Sequence, residues 1–303
     1  MKGFLIMEKK LLLIYNPVSG KAQIKTYLAD IIDIYSNKNY AVTVYPTKCK
    51  LDGFNYIKEN AHNYDVLSVC GGDGMLNEAV CALMHIDEKV RPALAYLPSG
   101  STNDFAGTVG IPLDIIEAAK MVVDGSPFFC DAGRMNDNFF AYIAAFGAFT
   151  SVAYDTAQEF KNVFGHLAYI LEGIRKLPTI KPLRIRAKFE DNVIEDEFMF
   201  GMVTNALQVA GIKHNMGTAI SLNDGLFEVF LIKRPQTAAG YQNLITAFLT
   251  QDLEKTNDII SFKTSKITFE SDEPIPWTLD GEFGGEVTTA DIETLPRAFS
   301  VIV

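Results

Sequence analysis

Residues Asp65 to Met84, DVLSVCGGDGMLNEAVCALM, decide the fold. Asp65 to Cys70 is an apolar run of strand length. It ends in Gly71-Gly72-Asp73-Gly74, and helical spacing follows from Met75 to Met84. Glycines let a backbone bend tightly and approach a phosphate closely. A lone aspartate there would repel the phosphate, unless a divalent cation sits between them or the carboxylate takes a proton during phosphoryl transfer. A plain turn needs one or two glycines, not three around an acid. Asn77 and Glu78 fall in the first helical turn, where an acid also suits the helix dipole. The stretch points to a nucleotide-using enzyme.

The same rhythm extends outward. Lys10 to Tyr15, Val42 to Tyr45 and Ala93 to Leu97 read as strands. Ala22 to Ser36, Gly53 to Asn60 and Leu113 to Val123 read as helices. Ile24, Leu28, Ile31, Ile32 and Tyr35 share one face of the first. This alternation predicts an α/β domain with a parallel sheet covered on both faces. Ligands in such folds bind beyond the carboxyl ends of the strands. Three polar loops rich in small residues fall at that edge, after Tyr15, Cys70 and Leu97.

After about Phe129 the pattern changes. Phe139 to Ala145, Leu183 to Phe189, Glu197 to Val203, Leu226 to Ile232 and Lys266 to Phe269 read as strands. Helical spacing covers only Asp155 to Lys176 and Ala238 to Thr250. A second, mainly antiparallel β-sandwich domain is expected. The expected division is 1–132 and 133–291, and the final run Ala298 to Val303 reads as a strand that could return to either domain, so that about 292–303 could rejoin the first.

Composition narrows the class. The chain has 303 residues, 48% hydrophobic and 21% charged, as befits globular domains. A net charge of -10 argues against a general nucleic-acid binder. Four cysteines without a C-x-x-C pair suit reduced thiols and a cytoplasmic protein. The scattered histidines lack zinc-site spacing. Phe4 to Met7 is too short an apolar run for a signal peptide, and either Met1 or Met7 could be the native start.

Two further loops carry chemistry. Asn16-Pro17-Val18-Ser19-Gly20-Lys21 follows the first strand but lacks P-loop spacing. It reads equally as a turn and helix cap. Ser99 to Phe105, SGSTNDF, offers hydroxyls and amides at a helix start, a natural phosphate cradle. Toward the C-terminus, Asn223-Asp224-Gly225 and Asp280-Gly281-Glu282 are, by themselves, turn signals with acids.

The set NPVSGK, GGDGMLNEAV, SGSTNDFA, DGLFEV (Asp224 to Val229) and LDGE (Leu279 to Glu282) resembles bacterial diacylglycerol kinases over essentially the whole chain, in the same order. These belong with sphingosine and ceramide kinases in one lipid-kinase superfamily. The resemblance implies a phosphofructokinase-like nucleotide domain, a β-sandwich domain, and ATP and Mg2+ as cofactors. It implies an ATP site lined by Asn16, Pro17, Val18, Ser19, Gly20, Thr47, Gly71, Gly72, Asp73, Gly74, Met75, Leu76, Asn77, Glu78, Ser101 and Thr102. Asp73, Asp104 and Asp131 would form a network around magnesium and water. A structural magnesium would take the Asp224 carboxylate and the carbonyls of Ser221 and Leu226. The catalytic base would be Asp280 or Glu282, which the sequence does not separate, and homodimers are common in the family.

The family usually has threonine at the position of Met75, so an altered nucleotide affinity is expected here. NAD kinase also has a GGDG loop, but SGSTNDFA and the terminal DGE favour a lipid kinase. Kinases of a sphingoid lipid, phosphatidylglycerol or another lipid alcohol stay open as alternatives, as does a non-catalytic lipid-binding regulator. Between Lys161 and Lys188 stand seven basic residues and one acid, Glu172, with Phe160, Phe164, Leu167 and Ile174 interleaved. That pattern suits a peripheral contact with the inner face of the membrane through 160–188, or a core helix followed by a strand with solvated charges.

Overall fold

In the computed structural model, Lys9–Tyr15 (β1), Tyr40–Pro46 (β2), Val66–Gly71 (β3) and Ala93–Pro98 (β4) pair in parallel, in the order β2-β1-β3-β4. The structure describes residues 9–19, 24–100, 103–147, 181–205, 208–209, 212–213, 221–250 and 256–303. Leu11 to Ile14 and every residue of β3 are buried, as strands covered on both faces require. The covering helices are Ile24–Ser36 (α1), Asp52–Asn60 (α2), Asp73–Met84 (α3), Asp104–Val109 (α4) and Ile115–Asp124 (α5). On α1, Ile24, Ile31 and Tyr35 turn inward. α1 packs on α5, and α2 on α3. Asp114 caps α5 by accepting the Ile116 and Glu117 amides, each at 3.0 Å.

The chain divides into two compact units, one of 1–130 with 297–303 and one of 131–296. In the first, Val301 pairs in parallel with Leu94 of β4. Val303 and Ser126 exchange backbone hydrogen bonds of 2.9 and 3.1 Å.

The second unit is β-rich. Its strands are the end of Pro127–Met135 (β5), then Asn138–Phe140 (β6), Ile143–Gly147 (β7), Leu183–Phe189 (β8), Asn192–Thr204 (β9), Gln208–Val209 (β10), Ile212–Lys213 (β11), Phe227–Lys233 (β12), Ile259–Thr264 (β13), Lys266–Leu279 (β14) and most of Glu282–Ile302 (β15). One helix, Ala238–Thr250 (α6), interrupts them among the described residues. β9 pairs with β8 along its first half and with β7 along its second, and β14 does the same. These four strands therefore close on themselves. Phe146, Phe198, Phe269 and Trp277 belong to the core cluster of this unit. A second cluster places Leu244 of α6 against Met199, Met202, Phe230 and Ile232.

β14 runs ten residues past the expected strand end at Phe269. That stretch carries Pro274 and Pro276. The register shifts between Glu270 and Ile275, and this irregularity accommodates Pro274, which cannot donate to a ladder, whereas Pro276 pairs with Glu286.

Candidate active site

The three loops expected beyond the strand ends converge in the first unit. After β1, the Val18 amide donates to Asn16 Oδ1 at 3.0 Å, and the Asn16 amide reaches the Cys70 carbonyl at 3.1 Å. Ser99 joins the loops after β1, β3 and β4. Its amide donates to the Gly71 carbonyl at 2.8 Å, and its hydroxyl lies 3.1 Å from Ser19 Oγ. Ser19 Oγ also donates to the Ser99 carbonyl at 3.3 Å. Burial pushes the neighbouring Cys70 thiol up to about 12, against an opposing hydrogen bond from Ser99, so Cys70 is a neutral wall residue.

Gly72 and Gly100 touch backbone to backbone. A Cβ on Gly100 would stand 2.5 Å from the Gly72 Cα, and one on Gly72 would stand 3.1 Å from the Gly100 Cα. Glycine at both positions is what lets the two loops meet. Asp73 then opens α3, and its Oδ2 accepts the Asn103 amide at 3.0 Å.

The remaining residues expected at the ATP site fall into different surroundings. The Thr47 amide donates to the Tyr15 carbonyl at 2.9 Å, which fixes the loop after β2. Val18 is exposed, whereas Leu76 is wholly buried. Leu76 can serve a ligand only through its backbone. Glu78 accepts the amides of Leu51 and Phe54 at 2.9 and 3.3 Å, so it holds the start of α2. Met75 is buried, and its Cε lies 2.7 Å from where a Cβ on Gly53 would be. Gly20, Ser101 and Thr102 lie outside the described residues, as does the side chain of Asp104.

In the second unit, Asp280 and Gly281 form the two-residue loop between β14 and β15, with φ of 50° and 86°. Asp-Gly with left-handed backbone at both positions is the favoured hairpin loop. Asp280 is buried, and its carboxylate accepts the amides of Ala141, Tyr142 and Ile143 at 2.6, 3.0 and 2.9 Å. Glu282 is exposed. The two acids that sequence alone could not separate thus have different surroundings.

The Asp224 turn is tied to Asp131. Asp131 is wholly buried, its Oδ2 accepts the Gly225 amide at 2.7 Å, and its own amide donates to the Leu222 carbonyl at 2.8 Å. Asn205 Nδ2 reaches the same carbonyl at 3.3 Å. Asp224 Oδ1 accepts the Leu226 amide at 3.1 Å, and its Oδ2 lies 3.5 Å from Lys263 Nζ. Lys263 also pairs with buried Glu228 at 2.9 Å. Burial raises the Glu228 carboxyl above its ordinary range, with the lysine pulling the other way. One carboxylate and main-chain carbonyls are donors of the kind a hard cation accepts, and Lys263 already shares the Asp224 charge. Among the described residues no group of three or more His, Cys, Asp or Glu side chains is arranged for a metal.

Ser99 and Asn103 fell within the cradle read at Ser99 to Phe105, but their individual roles were not distinguished, and Lys263 went unremarked. The signal for Asn103 was its place after a glycine loop, because asparagine tolerates left-handed backbone. For Lys263 there was none.

This geometry sits on a chain that matches two family models. Residues 10–135 match the diacylglycerol kinase catalytic domain, and residues 144–303 match the YegS C-terminal NAD kinase beta sandwich-like domain. The chain belongs to the diacylglycerol kinase family and is a lipid kinase. A diacylglycerol kinase of Bacillus subtilis (strain 168) is 33% identical over 279 residues, covering 91% of each chain. One of Staphylococcus aureus (strain MRSA252) is 31% identical, covering 93% of this chain and 88% of the relative. The crystal structure of a diacylglycerol kinase from Bacillus anthracis str. Sterne superposes with a TM-score of 0.74 at 26% identity, covering 97% and 96% of the two chains. Another from that organism reaches 0.83 at 27% identity, covering 100% and 97%.

Proposed function

We propose that this lipid kinase transfers the γ-phosphoryl group of ATP to the hydroxyl of diacylglycerol, giving phosphatidic acid. The observation that supports the reading is the meeting of the loops after β1, β3 and β4 beyond the strand ends, where Gly72 touches Gly100 and Asp73 accepts the Asn103 amide. The relatives' names supply the lipid.

The loops after β1, β3 and β4 bind and orient the phosphate chain, and most of the catalysis is positioning. Asp73 would stand beside the phosphates and help hold Mg2+, which would supply neutralisation of the developing charge. Asp224 and the carbonyls of Ser221 and Leu226 would hold the structural magnesium. Glu282 accepts the proton of the lipid hydroxyl. Asp280 serves that step by anchoring the hairpin on Ala141 to Ile143, since its oxygens already accept three amides.

Labelled ATP offered with diacylglycerol, a sphingoid base, phosphatidylglycerol and NAD tests the reading. Phosphate should reach diacylglycerol first. Glu282→Gln should lower kcat on the order of 10²–10⁴-fold with unchanged melting. Asp280→Asn should lower both kcat and the melting temperature. Full turnover in Glu282→Gln would remove it as the base.

We propose that the peripheral membrane contact runs through 160–188, of which 160–180 lie outside the described residues. In the described part of that segment, Arg184 is paired to Glu195 and Lys188 to Glu270. Among the described residues no helix is long and apolar enough to cross a membrane.

A further inference from the structure

Asn103 is 8% exposed and adopts left-handed backbone with φ of 53° and ψ of 45°. That conformation turns its amide toward Asp73 Oδ2, 3.0 Å away. Its side chain turns back on its own loop. Oδ1 accepts the Gly100 amide at 2.9 Å, and Nδ2 donates to the Gly100 carbonyl at 3.0 Å. Beneath it lies Tyr96, 1% exposed, whose hydroxyl is within reach of two acceptors: Asn103 Oδ1 at 3.1 Å and the Gly71 carbonyl at 3.2 Å. One residue thus grips Gly100, which touches Gly72, and also holds the carboxylate that follows Gly72. Any rotation of either loop breaks several of these contacts together.

We propose that Asn103, supported by Tyr96, is a positioning residue that locks the GGDG loop and the loop after β4 into one nucleotide cradle and aims the Asp73 carboxylate. The inference rests on the kinase reading. Asn103 touches no substrate in this role. It acts through Gly100 and Asp73. Left-handed backbone is costly for most residues but tolerated by asparagine and unhindered for glycine. Asn103→Gly therefore keeps the backbone and its amide while deleting the side-chain grip. Tyr96→Phe keeps the buried ring and deletes only the hydroxyl.

The test measures Mg-ADP binding to the lipid-free protein by calorimetry, then steady-state kinetics with ATP and diacylglycerol. Asn103→Gly should weaken ADP at least roughly tenfold, the loss expected when two or more hydrogen bonds that preorganise a site are removed. Tyr96→Phe should weaken ADP by a smaller factor, about threefold. The KM for ATP should rise in both variants while the KM for lipid stays put. Adding Tyr96→Phe to Asn103→Gly should cost less than it does alone, because the hydroxyl acts partly through Oδ1.

Wild-type ADP affinity in both variants would overturn the proposal. So would equal rises in the two KM values, the mark of a general structural loss. If Asn103→Gly does not fold, Tyr96→Phe decides. Wild-type protein that binds no ADP would instead bring down the kinase reading itself, along with this inference.

Discussion

Met75 shows how one side chain changes meaning on folding. As a missing hydroxyl beside the glycine loop, it predicted an altered nucleotide contact. In the structure its thioether packs beside Gly53 at the start of α2, next to Glu78, which accepts the Leu51 and Phe54 amides. Met75 and Gly53 form a matched large and small pair, and methionine suits such irregular gaps. Met75→Thr should therefore cost about 2–4 kcal/mol of stability, since it empties buried volume and buries a hydroxyl. Thermal unfolding measures the loss, and the KM for ATP should be no lower than in the parent. A lower KM with unchanged melting would show that a hydroxyl here does reach the nucleotide. The residue identities were plain in the sequence. The partner across the helix pair was not, because Gly53 and Met75 are twenty-two positions apart and meet only when α2 packs on α3.

At the scale of elements, the first unit was legible almost residue by residue. β1, β3 and β4 are short apolar runs bounded by turn residues, and α1 and α5 carry helical periodicity. These are local signals. The hairpin of β14 and β15 was not legible at its full length. The strand reading stopped at Phe269, whereas cross-strand partners hold the chain as strand to Leu279. Its Asp280-Gly281 loop was correctly read as a turn, but the choice of which acid is anchored depended on the amides of Ala141 to Ile143. Gly281 has φ of 86° and open space where a Cβ would go. Gly281→Ala should then cost about 1 kcal/mol through backbone strain alone. Gly281→Asn should recover part of it, because asparagine accepts left-handed backbone. Equal losses for the two in denaturant unfolding would point to a steric cause instead.

At the scale of the whole molecule, the last seven residues belong with the first 130. Phe299, Val301 and Ile302 are buried there, with Phe299 near Phe105. The Ala298 carbonyl accepts a hydrogen bond from Arg91. Burying each of these side chains contributes roughly 1.5–3 kcal/mol. A chain ending at Pro296 should lose cooperative unfolding of the first unit, with faster amide exchange in β4, while the core of the second keeps its protection. Unchanged exchange in β4 would show that the terminal strand is dispensable. The sequence marked Ala298 to Val303 as a strand and left open which domain it joins. Strand propensity resides in those residues, but pairing with Leu94 is a contact across some two hundred positions.

By itself the sequence determined the order of strands and helices, the three loops at the strand ends, the change to a β-rich second half, and the motif set of a lipid kinase. Each rests on neighbours within a few residues, where propensity, periodicity and turn chemistry act. Tertiary structure decided which residues those loops use to hold one another, that Asp280 anchors while Glu282 is presented, that Met75 packs beside Gly53, and that the C-terminus completes the first unit. Those outcomes depend on hydrogen bonds and packing between residues far apart in the chain, and such contacts exist only once the backbone has closed around them.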